Sequence, residues 1–176
     1  MRPAARRFAA TVFGAVGLAC GLGIALDMVT AHLAVEYFTV HHPTIVQTER
    51  PWLLALVWGV AASWWFGAIA GTILGLVNHW RREPLPARMI LRWGAVACLA
   101  LWCLMIAIVL GVLGLSSTIP DDLRRPTFES DRRLMAVALT HQYEYVLGLF
   151  ALLILAVRIW RAPSRDENEK DSFFTK

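Results

Sequence analysis

Four long apolar stretches alternate with short polar segments along the chain. They cover residues 8–37, 52–80, 89–115 and 134–160. Each exceeds the ~20 residues that a helix rising 1.5 Å per residue needs to cross roughly 30 Å of hydrocarbon. Because a backbone in lipid must form its hydrogen bonds within its own segment, each stretch is expected to be a helix. The pattern predicts an all-α fold, an integral membrane bundle of four transmembrane helices within residues 1–161.

The amino-acid composition argues against a soluble domain of this size. Of the 176 residues, 57% are hydrophobic and 17% are charged, whereas soluble domains average roughly 45–50% and about 25%. Three cysteines are too few for a disulfide scaffold. Cys98 and Cys103 lie on different faces of one predicted helix, so we interpret them as core thiols. The net charge of +4 comes from basic residues at segment ends, which form no patch for nucleic acid.

The distribution of basic residues predicts an orientation. Twelve lie on one side of the predicted membrane: Arg2, Arg6, Arg7, Arg81, Arg82, Arg88, Arg92, Arg158, Arg161, Arg165, Lys170 and Lys176. The other side has five: Arg50, Arg124, Arg125, Arg132 and Arg133. The positive-inside rule therefore predicts both termini in the cytoplasm and the loops 38–51 and 116–133 outside. The polar segment 162–176 cannot bury enough surface to fold, which predicts a disordered cytoplasmic tail.

The amino terminus also has the layout of a bacterial lipoprotein signal, with a basic start and an apolar run ending at Cys20. Gly17, however, occupies a position where such signals have a branched aliphatic residue. The apolar run also continues beyond Cys20, as a membrane span does. We therefore interpret the segment as a retained span.

Small residues recur every four positions in the second span, as in a glycine zipper. They are Ala55, Gly59, Ser63, Gly67, Gly71 and Gly75. Such a stripe lets another helix backbone approach closely, and the first span contains a possible partner set in Gly14, Gly17 and Gly21. A homodimer interface is one interpretation. Internal packing is favoured, because a small bundle must first pack its own helices.

Seven of the eight tryptophans divide by their position along the spans. Trp52, Trp80, Trp93 and Trp160 lie near span ends, where an amphipathic ring anchors at the headgroup level. Trp58, Trp64 and Trp65 lie deeper in the second span. We interpret these three as filling space opposite the small-residue stripe, and a lipid or quinone site is the alternative.

Ionisable residues within the apolar spans are the main candidates for function. The predicted intramembrane polar cluster, in the outer half of the bundle, contains Asp27, His32, Glu36, His141, Glu144 and Tyr145. Asp27 and Glu144 lie near the bilayer centre, where an ionised carboxylate costs at least ~2.5–3.5 kcal/mol. Because no lysine or arginine lies at that depth, each carboxylate must carry a proton, pair with a histidine, or bind a cation from outside the chain.

Helical spacing sorts these residues into faces. His141, Glu144 and Tyr145 share one face of the fourth span, and His32 and Glu36 share one face of the first, with Asp27 elsewhere. Three functional interpretations stay open. In the first, a transition-metal site is formed by His32, His141 and Glu144, with or without Glu36 as a further ligand. In the second, His32 and His141 ligate haem b. In the third, Asp27, Glu144 and the histidines form a proton relay. In a fourth interpretation the role is structural only, and the same side chains form hydrogen bonds between the helices.

The outer loop contains two adjacent histidines, His41 and His42, with Glu49 nearby. A weak surface metal site is one interpretation. The favoured one is an aromatic interfacial turn that lies over the mouth of the bundle.

Two stretches are similar to a group of small bacterial four-helix integral membrane proteins without known activity. These are Tyr37-Phe-Thr-Val-His-His-Pro43 and the Trp-Gly-Val…Trp-Trp pattern within residues 51–65, together with His141, Tyr145 and Gly148. The resemblance implies a bacterial inner (cytoplasmic) membrane and a multi-pass topology. It implies no activity, cofactor or site residue.

These observations predict a non-enzymatic inner-membrane protein, either an accessory subunit or one that responds to protons or a small ligand. The alternative is a haem- or metal-binding redox subunit or enzyme that uses His32, His141 and Glu144. The chain has no phosphate loop, nucleophile elbow or zincin helix, which argues against soluble-type catalysis. The expected partners are the lipid bilayer and a second copy or a larger membrane complex, with no nucleic acid.

Overall fold

The computed structural model describes residues 3–117 and 128–163, and these residues form helices and short connections without a strand. The elements are α1 (Pro3–Leu33), α2 (Val35–Thr39), α3 (Pro51–His79), α4 (Ala87–Ser117) and α5 (Phe128–Arg161). All but α2 are long and apolar enough to cross a membrane. The prediction of an all-helical chain with four long apolar helices is confirmed. Most of the predicted tail 162–176 and much of the loop 116–133 lie outside the described residues.

The first helix ends earlier than its hydropathy predicts. The apolar stretch was expected to continue to residue 37, but α1 ends at Leu33 and Ala34 adopts an extended conformation, with φ −147° and ψ 84°. The chain then turns into α2. A single extended residue leaves the apolar pattern unchanged, so hydropathy cannot reveal this break. Its effect is to bring Tyr37 and Phe38 over one end of the bundle.

The four long helices alternate in direction. α1 and α3 run antiparallel, because Phe8 lies against Gly75 at one end and Ile24 against Gly59 nearer the other. α4 contacts α1 through Leu91, which lies against Gly14. The start of α1, the end of α3, the start of α4 and the end of α5 therefore lie together. We call this the arginine-rich end, and the opposite one the α2 end.

The small-residue stripe of α3 packs against α1. A Cβ at Gly59 would lie 2.5 Å from the backbone nitrogen of Ile24, and one at Gly67 would lie 2.7 Å from the Cα of Val16. Close approach of the two backbones thus requires glycine at both positions. Within the chain the stripe packs against α1, and the homodimer interpretation stays untested.

The predicted partner set of the stripe on α1, Gly14, Gly17 and Gly21, is wrong. Gly17 and Gly21 are exposed, with nothing near the position of a Cβ, and Gly14 faces α4. The stripe instead meets Ala15, Ala19 and Gly23. Alanine is small enough to line a close helix contact, so a search restricted to glycine selects the wrong face.

Polar side chains fix the arginine-rich end. The buried Asn78 amide donates to the carbonyl of Leu85 at 2.9 Å and accepts from the Leu85 N–H at 2.8 Å, which closes the turn between α3 and α4. The Arg81 guanidinium donates to carbonyls at the end of α5, those of Ile159, Trp160 and Ala162. Free carbonyls at a helix carboxyl end carry partial negative charge, so this cation stabilises the end of α5.

The outer surface of the bundle is apolar. Leu99, Leu110, Leu149, Leu153 and Ile154 are each more than half exposed. So large an apolar surface is typical of contact with lipid. Buried side chains form two small clusters, one of Leu74, Ile90, Leu152 and Ile159 at the arginine-rich end, and one of Ala31, Phe38 and Leu54 at the α2 end.

The tryptophans follow the same division between surface and interior. Trp52, Trp80 and Trp160 are exposed at helix ends, and the Arg158 guanidinium lies 4.4 Å from the centre of the half-buried Trp93 ring. Trp64 and Trp65 lie opposite the stripe but are 53% and 41% exposed, so they line the outer surface more than they fill space.

Candidate functional site

One imidazole lies between two carboxylates in the half of the bundle nearer the α2 end. His141 Nε2 on α5 is 3.4 Å from Asp27 Oδ1 on α1. On the other side of the ring, His141 Nδ1 is 3.7 Å from Glu144 Oε2, one turn further along α5. These three predicted residues come together, and we call them the Asp27–His141–Glu144 cluster.

Thr30 supports the same side of the imidazole. It lies one turn after Asp27 on α1, and its hydroxyl is 3.4 Å from His141 Nε2. The hydroxyl also donates to the carbonyl of Leu26 on its own helix, at 3.3 Å. Sequence analysis did not single out Thr30, although its three-residue spacing from Asp27 places both on one helix face.

The cluster is largely shielded from solvent. Asp27 is 3% exposed, and the side chains of His141 and Glu144 are 16% and 15% exposed. Within the described part of the chain, the only cationic partner of either carboxylate is His141 itself. In an environment that solvates charge poorly, the cluster must balance its charge among its own three groups or with something bound.

An aromatic cap covers the cluster at the α2 end. The Tyr37 ring stacks on the His141 ring with centroids 4.9 Å apart and planes 9° apart, and Phe38 meets the same ring edge-on at 5.8 Å. His42 lies 4.5 Å from Tyr37 and 4.9 Å from Trp58, and its Nδ1 is 2.8 Å from the carbonyl oxygen of Tyr37. We call Tyr37, Phe38 and His42 the α2 cap.

The α2 cap explains the unusual loop of the sequence. An aromatic turn over the bundle mouth was the favoured interpretation of this loop, and the structure places it there. His42 belongs to the cap, whereas His41 is exposed beside it. The break at Ala34 makes this possible, because a continuous first helix would carry Tyr37 away from His141.

Two of the predicted site residues lie apart from the cluster. His32 is exposed, and its Nδ1 lies 2.6 Å from the carbonyl oxygen of Met28 on its own helix. It lies five positions after Asp27, which places it on another face of α1. Glu36 is half-buried in α2.

The proposed ligand sets for a metal or haem are therefore not assembled. His32 does not face His141, both of whose ring nitrogens are directed at carboxylates. Among the described residues, no three or more His, Cys, Asp or Glu side chains are arranged to hold a metal ion. The residues present do not fit these groups in this conformation.

Tyr145 faces α3 instead of His141. Its hydroxyl donates to the carbonyl of Ala62 at 3.1 Å, and its ring stacks against Trp65 with centroids 5.7 Å apart. Tyr145 and Glu144 also line a cavity of about 100 Å³ between the four long helices. The signal for this cavity in the sequence is weak, because its small residues are spread over all four helices and resemble ordinary packing positions.

No protein-family model, curated protein or solved structure matches this chain. The similarity to small bacterial membrane proteins therefore stays a prediction. The functional argument rests on the geometry of the cluster, the α2 cap and the cavity.

Proposed function

We propose that this chain is a multi-pass, non-enzymatic protein of the bacterial inner membrane that responds to protons through the Asp27–His141–Glu144 cluster. Both termini lie in the cytoplasm in this proposal, so the α2 cap faces outward. The observation that carries it is the pair of carboxylates, one at each nitrogen of a single imidazole that is largely shielded from solvent.

The number of donors on the imidazole explains why the cluster shares a proton. A neutral imidazole has one N–H and one lone pair, so it presents a donor to only one of the two carboxylates. The other carboxylate faces the lone pair unless it carries a proton or the ring becomes an imidazolium. In either case the cluster holds one proton more than two ionised carboxylates and a neutral imidazole would, so its net charge is −1 and not −2.

Loss of the shared proton weakens the contact between α1 and α5. The cluster then has two negative charges with no cation, in a site that solvates charge poorly, and removal of a compensating charge from a buried site is strongly unfavourable. Because Asp27 lies on α1 and His141 on α5, the protonation state of the cluster is coupled to the packing of these helices. The α2 cap, stacked on His141, lies where it would sense the same change.

Infrared difference spectroscopy between acidic and alkaline pH tests the proposal, with the purified protein in lipid nanodiscs. We expect a carbonyl-stretch signal from a protonated carboxyl group that shifts in deuterium oxide. The signal should change in both Asp27→Asn and Glu144→Gln, because the two carboxylates share one proton. Glu36→Gln is the matched control, since Glu36 lies outside the cluster, and it should leave the signal unaltered.

Two results would contradict this function. The first is a wild-type spectrum without a titrating carboxyl signal, or a signal that survives both cluster substitutions. The second is a haem absorption band, or a stoichiometric metal, that is lost in His141→Ala; that outcome would support the redox alternative.

A further inference from the structure

The cavity between the helices extends from Glu144 towards the arginine-rich end. Its wall on α5 runs from Glu144 to Leu155, which is roughly 16 Å at 1.5 Å per residue. The volume of about 100 Å³ is only partly enclosed. An engineered apolar cavity of about 150 Å³ holds benzene, so this space admits a molecule of only a few non-hydrogen atoms.

The wall of this cavity is polar at one end and apolar along the rest. Its polar side chains are Ser63, Cys98, Glu144 and Tyr145, and the other lining residues are alanine, glycine, leucine and phenylalanine. Cavities with apolar walls stay dry and take up small apolar molecules. The apolar part therefore suits a short alkyl group.

The Glu144 carboxylate gives the polar end of the cavity a negative charge. No described residue donates a hydrogen bond to its carboxylate, and its ionic contact in that part of the chain is His141 Nδ1 at 3.7 Å. Asp27, on the other side of the imidazole, does not line the cavity. Glu144 is thus the member of the cluster that a molecule in the cavity can reach.

Aromatic rings line the same end. Phe66 and Tyr145 have ring centroids 6.4 Å apart, and Trp65 stacks on Tyr145. Aromatic faces attract cations, and ammonium groups in particular. A carboxylate beside aromatic rings, with an apolar space behind it, matches a molecule that has one positive charge and a hydrocarbon tail.

We propose that this cavity binds a small lipophilic cation of the alkylammonium class, with its ammonium group at Glu144 and its alkyl chain between α4 and α5. The cation neutralises Glu144 in place of the shared proton. The inference rests on the proposed function in that both use Glu144, but it adds a ligand that the proton response does not require.

A binding titration with n-butylammonium tests the proposal. The protein is held in phosphatidylcholine nanodiscs, and n-butanol serves as the uncharged probe of similar size. A change in tryptophan fluorescence reports binding, because Trp65 stacks on Tyr145 at the polar end of the cavity. We expect saturable binding of the ammonium probe.

Two matched pairs of variants distinguish the effect of the Glu144 charge from the effect of the cavity volume. Glu144→Gln should weaken n-butylammonium binding at least tenfold and leave n-butanol binding unchanged, whereas Glu36→Gln, outside the cluster and the cavity lining, should change either affinity less than threefold. Ala97→Leu fills the cavity from α4 and should abolish binding of both probes. Ala100→Leu makes the same change at an exposed position of α4 and should have no effect.

Retained n-butanol binding by Glu144→Gln shows that this variant is folded, so its loss of ammonium binding would be specific. Equal ammonium affinity in wild type and Glu144→Gln would overturn the proposal, as would wild-type affinity in Ala97→Leu. If the infrared signal titrates but the ammonium probe does not bind, the ligand proposal fails and the proton response stands. If the probe binds as expected but no carboxyl signal titrates, the proton response fails and the ligand proposal stands.

Discussion

His141 and His32 lie near the same end of the bundle but have different surroundings. His141 has a carboxylate at each ring nitrogen and an aromatic ring on its face. His32 is exposed and contacts a carbonyl of its own helix. The sequence marked both as candidates because both are polar residues in apolar spans. The direction of each side chain depends on how each helix is rotated in the bundle.

Replacement of His141 should therefore destabilise the protein far more than replacement of His32. His141→Ala leaves Asp27 and Glu144 without their shared partner, and breaking such a buried group costs about 3–5 kcal/mol. His32→Ala, at an exposed position, should cost within about 0.5 kcal/mol. Unfolding by denaturant in detergent micelles measures both. Similar losses in the two variants would contradict the role assigned to His141.

Among the elements, the contact between α1 and α3 depends most directly on residue size. The four-residue spacing of small side chains predicted a close helix contact on α3, and the structure contains one. The identity of the partner face on α1 did not follow from the sequence. Ala15, Ala19 and Gly23 form it, and alanine is too common in apolar spans to mark a face.

Gly59→Ala should disrupt this contact. The added methyl group would meet the backbone of Ile24, which cannot move as a flexible side chain can. Overpacking of this kind costs about 1–3 kcal/mol. Gly17→Ala is the control, because Gly17 faces open space on the partner helix, and alanine gains up to about 1 kcal/mol of helix propensity.

The two glycine variants are compared by thermal unfolding of the purified protein. A lower unfolding temperature for Gly59→Ala, beside an unchanged or higher one for Gly17→Ala, is the expected result. If Gly59→Ala unfolds at the wild-type temperature, then α1 and α3 do not pack through this stripe.

At the scale of the whole molecule, the alternating helices bring both described ends of the chain to the arginine-rich end. Arg81 links this end internally, since its guanidinium binds the final carbonyls of α5. Arg81 and the other arginines at this end are also the basis of the prediction that this end is cytoplasmic. The arrangement and the charge distribution thus lead to one expected orientation.

Cysteine labelling in intact cells tests this orientation. With Cys20, Cys98 and Cys103 replaced by alanine, His41→Cys introduces a thiol beside the α2 cap and Arg82→Cys introduces one at the arginine-rich end; both positions are exposed. A membrane-impermeant maleimide should label position 41 directly and position 82 only after permeabilisation. The opposite pattern would reverse the orientation, and immediate labelling of both would contradict a membrane-spanning bundle.

The sequence by itself determined the number of long helices, their apolar character and the small residues that let α3 approach a neighbour. These properties are local, since they depend on the length, hydropathy and spacing of single segments. It also marked Asp27, His141 and Glu144, because charge within an apolar span is unusual wherever the span packs.

Only the tertiary structure decided that these three side chains meet, that His32 does not join them, and that a cavity opens beside Glu144. It also decided that Tyr37 lies on His141, through one extended residue at Ala34. Each of these features depends on the rotation of a helix about its axis or on a break within it. Contacts between segments far apart in the chain set that rotation, and no single segment contains the information.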